Sequence, residues 1–232
     1  MKTPRDLRLL NEFKAMKALR SPYCLFDFRC ADLSDEEGLA FGSHNITVDL
    51  IERAWPNFLT AEEFERSYPT DPPEKYLIRY SCIGLERTND GAIVKSNEHF
   101  MEVVFSWRYP AEQPNFIWIT PIWHPNFKNP YICIEGRPFA VGLTLAQITM
   151  EVGRMIQYQN YNVKDPLNRE AEVWARQNAH LFPIDDRDIL DSRRKVGGKR
   201  KEAPLIEIID PKSDETEQSH NLVELVETDD YK

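Results

Sequence analysis

The spacing of apolar residues along the chain predicts three amphipathic helices. Residues 5–19 carry apolar side chains at helical intervals, with basic residues on the opposite side. Residues 145–157 show the same spacing behind Thr144, which is a good N-terminal cap, and residues 169–181 show it behind Asn168. We therefore expect one helix near the N-terminus and two helices in the C-terminal half.

Strand patterns fill the region between these helices. Residues 76–83, 99–107 and 115–120 are rich in aromatic and β-branched side chains, and Asn89-Asp90-Gly91 marks a turn. Sequential strands with short connections predict an antiparallel meander. The predicted fold class is α+β, with an antiparallel sheet of about four strands between the N-terminal helix and the C-terminal helices.

Composition changes along the chain and sets the predicted domain organisation. Residues 1–190 carry these elements and form the predicted domain, and residues 60–63 have the form of a capping box that opens a short helix. Residues 45–50 predict a short strand. Residues 191–232 are charged, and this segment has the composition of a disordered C-terminal tail.

Bulk composition excludes several classes of function. The 232-residue chain has a net charge of −9, which argues against nucleic acid as a partner. It has no apolar run of about 18 residues that could span a membrane. Its polar N-terminus does not resemble a signal peptide. Its four cysteines show no CxxC spacing, and no zinc-ligand pattern is present. We therefore expect a cytoplasmic protein with reduced thiols and no metal.

One group of motifs in the C-terminal half of the chain contains the candidate catalytic residues. His124-Pro125-Asn126 precedes Cys133, and Asp165 opens an Asp-Pro-Leu-Asn run after the next predicted helix. A thiolate is the nucleophile in acyl exchange, and a thioester keeps the acyl group reactive toward amines. No acidic or basic residue lies in the three positions before Cys133. This environment fits an acyl-carrying cysteine better than a protease cysteine.

The order of these motifs resembles that of the ubiquitin-conjugating enzymes. The resemblance covers about residues 76–182 and extends more weakly to the helix at 5–19. Tyr109-Pro110 is similar to the family's aromatic-proline step, and residues 165–171 are the most specific piece after His-Pro-Asn. The resemblance implies a UBC-like fold. It also implies a transferase that accepts a ubiquitin-like protein from an activating enzyme as a thioester on Cys133 and passes it to a lysine of a target protein.

The same resemblance implies roles for individual residues. Cys133 would carry the thioester, and Asn126 would stabilise the oxyanion or hold the loop in shape. Asp165 would orient or deprotonate the incoming lysine. His124 and Pro125 would be structural. No metal or organic cofactor is implied, because ATP is used by the activating enzyme.

Several departures from the family indicate a divergent member. The segment 110–124 is shorter than in common members and carries part of their ligase-binding surface, which argues against a standard RING-type ligase partner. Residues 31–74 form an insertion, and residues 136–142 lack the usual Trp-Ser-Pro. The chain is similar in this respect to conjugating enzymes of bacterial ubiquitin-like operons, some of them linked to antiviral defence. Two alternatives remain open: a catalytically silent module that binds a ubiquitin-like protein, and a cysteine hydrolase that uses Cys133 and His124.

Overall fold

The computed structural model describes residues 2–28, 47–54, 58–66, 71–134 and 143–184. The helices are α1 (Pro4–Leu19), α2 (Val48–Ala54), α3 (Ala61–Arg66), α4 (Leu145–Ile156) and α5 (Arg169–Gln177), and a 3-10 turn (Ala179–Leu181) follows α5. The strands are β1 (Cys24–Asp27), β2 (Lys75–Tyr80), β3 (Gly84–Arg87), β4 (Ile93–Ser96), β5 (His99–Val104), β6 (Asn115–Trp118), β7 (Phe127–Lys128) and β8 (Tyr131–Ile132).

The main sheet has four antiparallel strands in the order β1-β2-β5-β6. Phe26, Ile78, Met101 and Trp118 form one cross-strand row, and all four are buried. This row belongs to the large core cluster, to which α1 and α4 contribute their apolar sides. The predicted α+β fold with an antiparallel sheet of about four strands is confirmed. Strand β1 was not among the predicted strands.

The helix starts follow from local hydrogen bonds. Thr3 accepts from the amide of Asp6 at 3.2 Å, and the carboxylate of Asp6 accepts from the amide of Thr3 at 2.8 Å. Thr144 and Gln147 form the same reciprocal pair at the start of α4, and the side chain of Asn168 caps α5. These caps satisfy amides that have no partner inside the helix. The three predicted helices are confirmed, although α5 is shorter than predicted.

A separate hairpin, β3–β4, lies outside the main sheet. Its turn contains the predicted residues 89–91, and Gly91 adopts a φ of 89°, which favours glycine. Leu85 of this hairpin belongs to a second buried cluster that also contains Trp123, Tyr158 and two alanines of α5. The hairpin and α5 therefore pack against Trp123, which directly precedes His124, and against Tyr158, which follows α4.

The described part of the predicted insertion forms two short helices. The predicted strand at 45–50 is wrong from Val48 onward, because these residues begin α2; residues 45–46 lie outside the described residues. Helix α2 and Phe58 cover the sheet face opposite the main core, burying Leu50 and Ile51 against Leu77 and Phe100. Tertiary burial outweighs the local strand preference here.

The capping box predicted at residues 60–63 is confirmed. Thr60 Oγ1 accepts from the amide of Glu63 at 3.2 Å, and Glu63 accepts from the amide of Thr60 at 2.8 Å, which opens α3. Residues 191–232 lie outside the described residues, so the domain boundary at 190 stays a prediction. No helix in the described ranges is long and apolar enough to cross a membrane.

A buried carboxylate connects α1 to the start of α4. Glu12 is 1% exposed. It accepts hydrogen bonds from Arg8 Nε at 2.9 Å, from the hydroxyl of Tyr109 at 2.8 Å and from the amide of Leu145 at 2.6 Å. A buried charge is tolerated when it is paired and fully hydrogen-bonded. Glu12 thereby fixes three segments of the domain relative to one another.

Candidate active site

The candidate nucleophile follows the hairpin β7–β8. In this hairpin Phe127 pairs with Ile132, and Lys128 pairs with Tyr131. Phe127 is fully buried, and its ring lies edge-to-face on Trp118 with centroids 4.7 Å apart. The hairpin is therefore packed onto the main sheet through its inner pair, and its outer pair, Lys128 and Tyr131, is exposed.

Cys133 is the residue that directly follows β8, and it is a half-buried thiol outside any disulfide. Its amide donates to the main-chain carbonyl of Asn126 at 2.8 Å, one residue beyond the last pair of the hairpin. The backbone ladder therefore holds Cys133 opposite Asn126.

The side chain of Asn126 pairs with the backbone of Asn162, 36 positions further along the chain. Asn126 Nδ2 donates to the carbonyl of Asn162 at 3.0 Å, and the amide of Asn162 donates to Asn126 Oδ1 at 2.7 Å. Asn126 is 1% exposed. Of the two roles considered for Asn126, this geometry supports holding the loop; an oxyanion could be stabilised only by the second N–H of the same nitrogen.

Asp165 lies in the segment that Asn126 holds. It is exposed and follows Asn162 by three positions, which places its Cα no more than about 11 Å from that of Asn162. On its other side the amide of Asn168 donates to the carbonyl of Pro125 at 2.9 Å. The His-Pro-Asn segment therefore anchors the chain on both sides of Asp165, and the carboxylate lies at the surface.

His124 is fully buried beneath this loop. Its Nδ1 accepts from the amide of Asn126 at 3.1 Å, and its ring packs against Phe127 and Tyr158 with centroids 4.9 and 4.6 Å away. Burial lowers the pKa of His124 to about 3, so the ring is neutral at pH 7. Among the described residues, Nε2 has no hydrogen-bond partner. These contacts support the predicted structural role of His124.

Two supporting residues were not identified from the sequence. Tyr158 follows the C-cap residue of α4 with a φ of 55°, and its hydroxyl donates to the carbonyl of Trp123. Burial raises the pKa of Tyr158, so the hydroxyl keeps its proton and remains a donor. The amide of Trp123 donates to the carbonyl of Leu85 at 2.6 Å. The positive φ and the bond partners depend on tertiary structure, so no local sequence signal indicates these roles.

The other described cysteines lie in the core. Cys24 and Cys82 are fully buried, and desolvation raises the pKa of Cys24 to about 12. A buried thiol of this kind is an inert core residue rather than a nucleophile. Within the described ranges, no group of three or more His, Cys, Asp or Glu side chains could hold a metal ion. Of the cysteines that the structure describes, Cys133 is therefore the one placed for chemistry.

No protein-family model matches the chain, and no curated protein sequence matches it. Solved structures of ubiquitin-conjugating enzymes are similar to it. The E2 domain of a Toxoplasma gondii ubiquitin conjugating enzyme is 20% identical, with a TM-score of 0.37, over 47% of this chain and 74% of that one. S. cerevisiae Ubc12 is 18% identical, with a TM-score of 0.42, over 74% of this chain and 68% of that one.

A Plasmodium yoelii protein described as a ubiquitin conjugating enzyme is 16% identical, with a TM-score of 0.46, over 79% of this chain and 90% of that one. These structures come from the family that the sequence motifs resemble. At such identities and TM-scores, the similarities carry no conclusion about the activity of this chain.

Proposed function

We propose that this protein is a conjugating enzyme that accepts a ubiquitin-like protein from an activating enzyme as a thioester on Cys133 and transfers it to a lysine of a target protein. The observation that supports this most is the double role of Asn126. Its main chain binds the amide of Cys133, and its side chain binds the segment that precedes Asp165. Asn126 thereby links the Cys133 backbone to the segment that precedes Asp165 in the sequence.

In the loading step, the thiolate of Cys133 attacks the thioester carbonyl of the activated modifier. A new C–S bond forms to Cys133, and the C–S bond to the activating enzyme breaks. Cys133 is half-buried rather than enclosed in the core, and the hydrogen bond of its amide to Asn126 holds its main chain. No cofactor takes part in this exchange.

In the transfer step, a neutral lysine amine attacks the thioester carbonyl. Asp165 is exposed, and in this proposal its carboxylate orients the incoming amine and accepts its proton. The second N–H of the Asn126 amide can stabilise the oxyanion if the loop contact is kept. Cys133 then leaves as the thiolate.

The surroundings of His124 support the hydrolase alternative less well. A cysteine hydrolase needs an imidazole that takes the thiol proton. The Nδ1 of His124 is already bound to the amide of Asn126, its Nε2 is buried without a partner among the described residues, and its pKa is about 3. Such a ring is a weak base at neutral pH. A silent binding module, in turn, has no need of Cys133 and Asp165 together.

The loading step is tested with a ubiquitin-like protein, its activating enzyme and ATP, on non-reducing gels. We expect an adduct that thiol removes from the wild-type protein. On Cys133→Ser we expect an ester that resists thiol but not hydroxylamine, and on Cys133→Ala no adduct. If the cognate activating enzyme loads other conjugating enzymes but not this one, the carrier role is wrong and the binding module gains support.

The transfer step is tested separately by adding free lysine to the loaded enzyme. Asp165→Asn should load normally but discharge at least about tenfold more slowly, because the carboxylate no longer assists the amine. Asp71→Asn, a substitution of another exposed aspartate outside the candidate site, is the matched control. Equal discharge by both variants would remove Asp165 from the proposed mechanism.

A further inference from the structure

The segment that leads into Asp165 is held by more than its contact with Asn126. The side chain of Asn162 accepts from the amide of Lys164 at 2.7 Å, which forms a turn of the Asx type directly before Asp165. Asp165 itself is exposed, so the position of its carboxylate depends on the backbone that carries it. Another side chain that holds this backbone therefore also acts on the carboxylate.

Arg176 holds the residue that lies between Asn162 and Lys164. Its Nη2 donates to the main-chain carbonyl of Val163 at 3.1 Å, across 13 positions of the sequence. Its Nε donates to the carboxylate of Glu172, which is only 15% exposed and lies one turn earlier in α5. The two bonds fix the orientation of the guanidinium group, because the donors of an arginine form a rigid planar fork.

The bond to Val163 is not explained by the helix pair that Arg176 forms. Glu172 and Arg176 are four positions apart, and exposed pairs of this kind contribute little to helix stability. That pair uses the Nε of the guanidinium group. The Nη2 bond leaves the helix and reaches the loop that precedes it, so Arg176 connects α5 to the Asp165 segment.

This connection closes the Asp165 segment from the side of α5. The amide of Asn168, the N-terminal cap residue of α5, donates to the carbonyl of Pro125 at 2.9 Å. The segment from Asn162 to Asn168 is thus attached at both ends to the His-Pro-Asn segment. Between these ends, Arg176 attaches it to the last turn of α5.

We propose that Arg176 is a positioning residue for the transfer step, because its bond to Val163 sets the direction in which the main chain enters Asp165. This inference rests on the proposed function, in which Asp165 assists the lysine amine. Arg176 does not contact the reacting atoms and acts through the backbone. A small displacement of a catalytic group lowers a rate strongly, so loss of the Val163 bond slows transfer even though Asp165 is still present.

Amide hydrogen exchange of the full-length protein, followed by NMR, tests the positioning without any reaction. In Arg176→Ala we expect the amide of Lys164 to exchange about three- to tenfold faster, because the turn loses one hydrogen bond that holds it. The amide of Cys133, which bonds to Asn126 beside the hairpin β7–β8, should exchange at the wild-type rate. Unchanged exchange at Lys164 would overturn the inference.

Discharge of the loaded protein to free lysine tests the effect on transfer. Arg176→Ala should load Cys133 normally and discharge about three- to tenfold more slowly. Arg66→Ala is the matched control, because Arg66 is also exposed and pairs with Glu62 four positions earlier in α3. This control should discharge at the wild-type rate.

Arg176→Lys separates position from charge. It keeps the positive charge, but a single ammonium group cannot replace the two-pronged guanidinium, so this variant should show both the faster amide exchange and the slower discharge. If it discharges like the wild type while its Lys164 amide still exchanges fast, charge rather than position is responsible and the inference is wrong.

The double variant Arg176→Ala/Asp165→Asn shows whether Arg176 acts through Asp165. If it does, the double variant discharges no more slowly than Asp165→Asn alone, because no carboxylate remains to be positioned. Losses that multiply would make Arg176 independent of Asp165 and overturn the inference. Failure of Cys133 to load would refute the proposed function as well, whereas wild-type discharge by loaded Arg176→Ala would refute this inference alone.

Discussion

The pairing of Asn126 with Asn162 makes a quantitative prediction about Asn126→Ala. The substitution removes two hydrogen bonds, of 3.0 and 2.7 Å, from a side chain that is 1% exposed. Each such bond stabilises the native state by about 1 kcal/mol, and a buried group left without a partner costs about 1–3 kcal/mol. Asn162 is half-buried, so water recovers part of this loss. We therefore expect the free energy of unfolding to fall by about 2–3 kcal/mol.

Urea denaturation of the purified variants measures this loss. Asn126→Asp is informative beside Asn126→Ala, because it keeps the acceptor for the Asn162 amide but places an oxygen against the Asn162 carbonyl. It should therefore be at least as destabilising as the alanine variant. Asn115→Ala replaces an exposed asparagine at the start of β6 and should stay within about 0.5 kcal/mol of the wild type.

The same variant separates the two roles considered for Asn126. If the side chain holds the loop, stability and the discharge to free lysine should decline together, because the segment carrying Asp165 is released. An Asn126→Ala protein with wild-type urea stability but slow discharge would refute the loop argument and assign Asn126 to the oxyanion alone.

Three further predictions concern the scaffold. Gly84→Ala should lower stability by about 1–3 kcal/mol in urea titrations, because its Cβ would lie 2.8 Å from the His99 ring and 2.9 Å from Ile156 Cγ2; wild-type stability would contradict this packing. Glu12→Gln should lower the free energy of unfolding by about 2–4 kcal/mol, because the N–H of the new amide group would face the donors of Arg8, Tyr109 or Leu145. Tyr109→Phe should lower it by less; equal decreases would argue against the carboxylate as the centre of this network. Burial lowers the pKa of His124 to about 3 and of His99 to about 4, so between pH 6.5 and 5 these histidines are protonated in the unfolded chain but not in the folded one. The free energy of unfolding is therefore highest above pH 6.5, and each histidine should lower it by about 1.4 kcal/mol per pH unit as the pH falls to 5. Equal stability in urea at pH 7 and pH 5 would contradict this.

The elements that could be predicted from the sequence are those determined by local contacts. The capping residues Thr3, Thr144 and Asn168 each bond within three positions, so the starts of α1, α4 and α5 are visible in the sequence. Strand β1 has only four residues and depends on its pairing with β2, so its own pattern is too short to indicate it. Local signals thus predicted the layers but not the full sheet.

The helix α2 shows why burial can outweigh a local pattern. Val48 and Ile51 are β-branched and favour a strand when considered alone. In the structure Leu50 and Ile51 both pack against the sheet, which consecutive residues of a strand could not do because their side chains point to opposite faces, whereas in a helix they lie about 100° apart. The information that selects the helix lies in the distant residues Leu77 and Phe100, which the local window does not contain.

The candidate site also combines features that the sequence indicates with features that it does not. The motif order indicated Cys133, Asn126 and Asp165, and their proposed roles remain to be tested. The contact between Asn126 and the segment before Asp165 could not be predicted. The Asn126 side chain bonds to the main chain of Asn162, and every residue type has main-chain groups, so the identity of residue 162 does not indicate the contact. The same limit applies to Tyr158, whose hydroxyl bonds to the Trp123 carbonyl.

The layer formed by α2 and Phe58 limits which face of the sheet another protein can bind. An antiparallel sheet commonly has one face exposed to solvent, and another protein can bind there. Here Leu77 and Phe100 are already covered by the chain's own residues. A protein that binds this face must first displace α2, which at seven residues has little helical stability of its own. Under the proposed function, the activating enzyme and the acceptor would then approach Cys133 beside the β7–β8 hairpin one after the other, which is a ping-pong order.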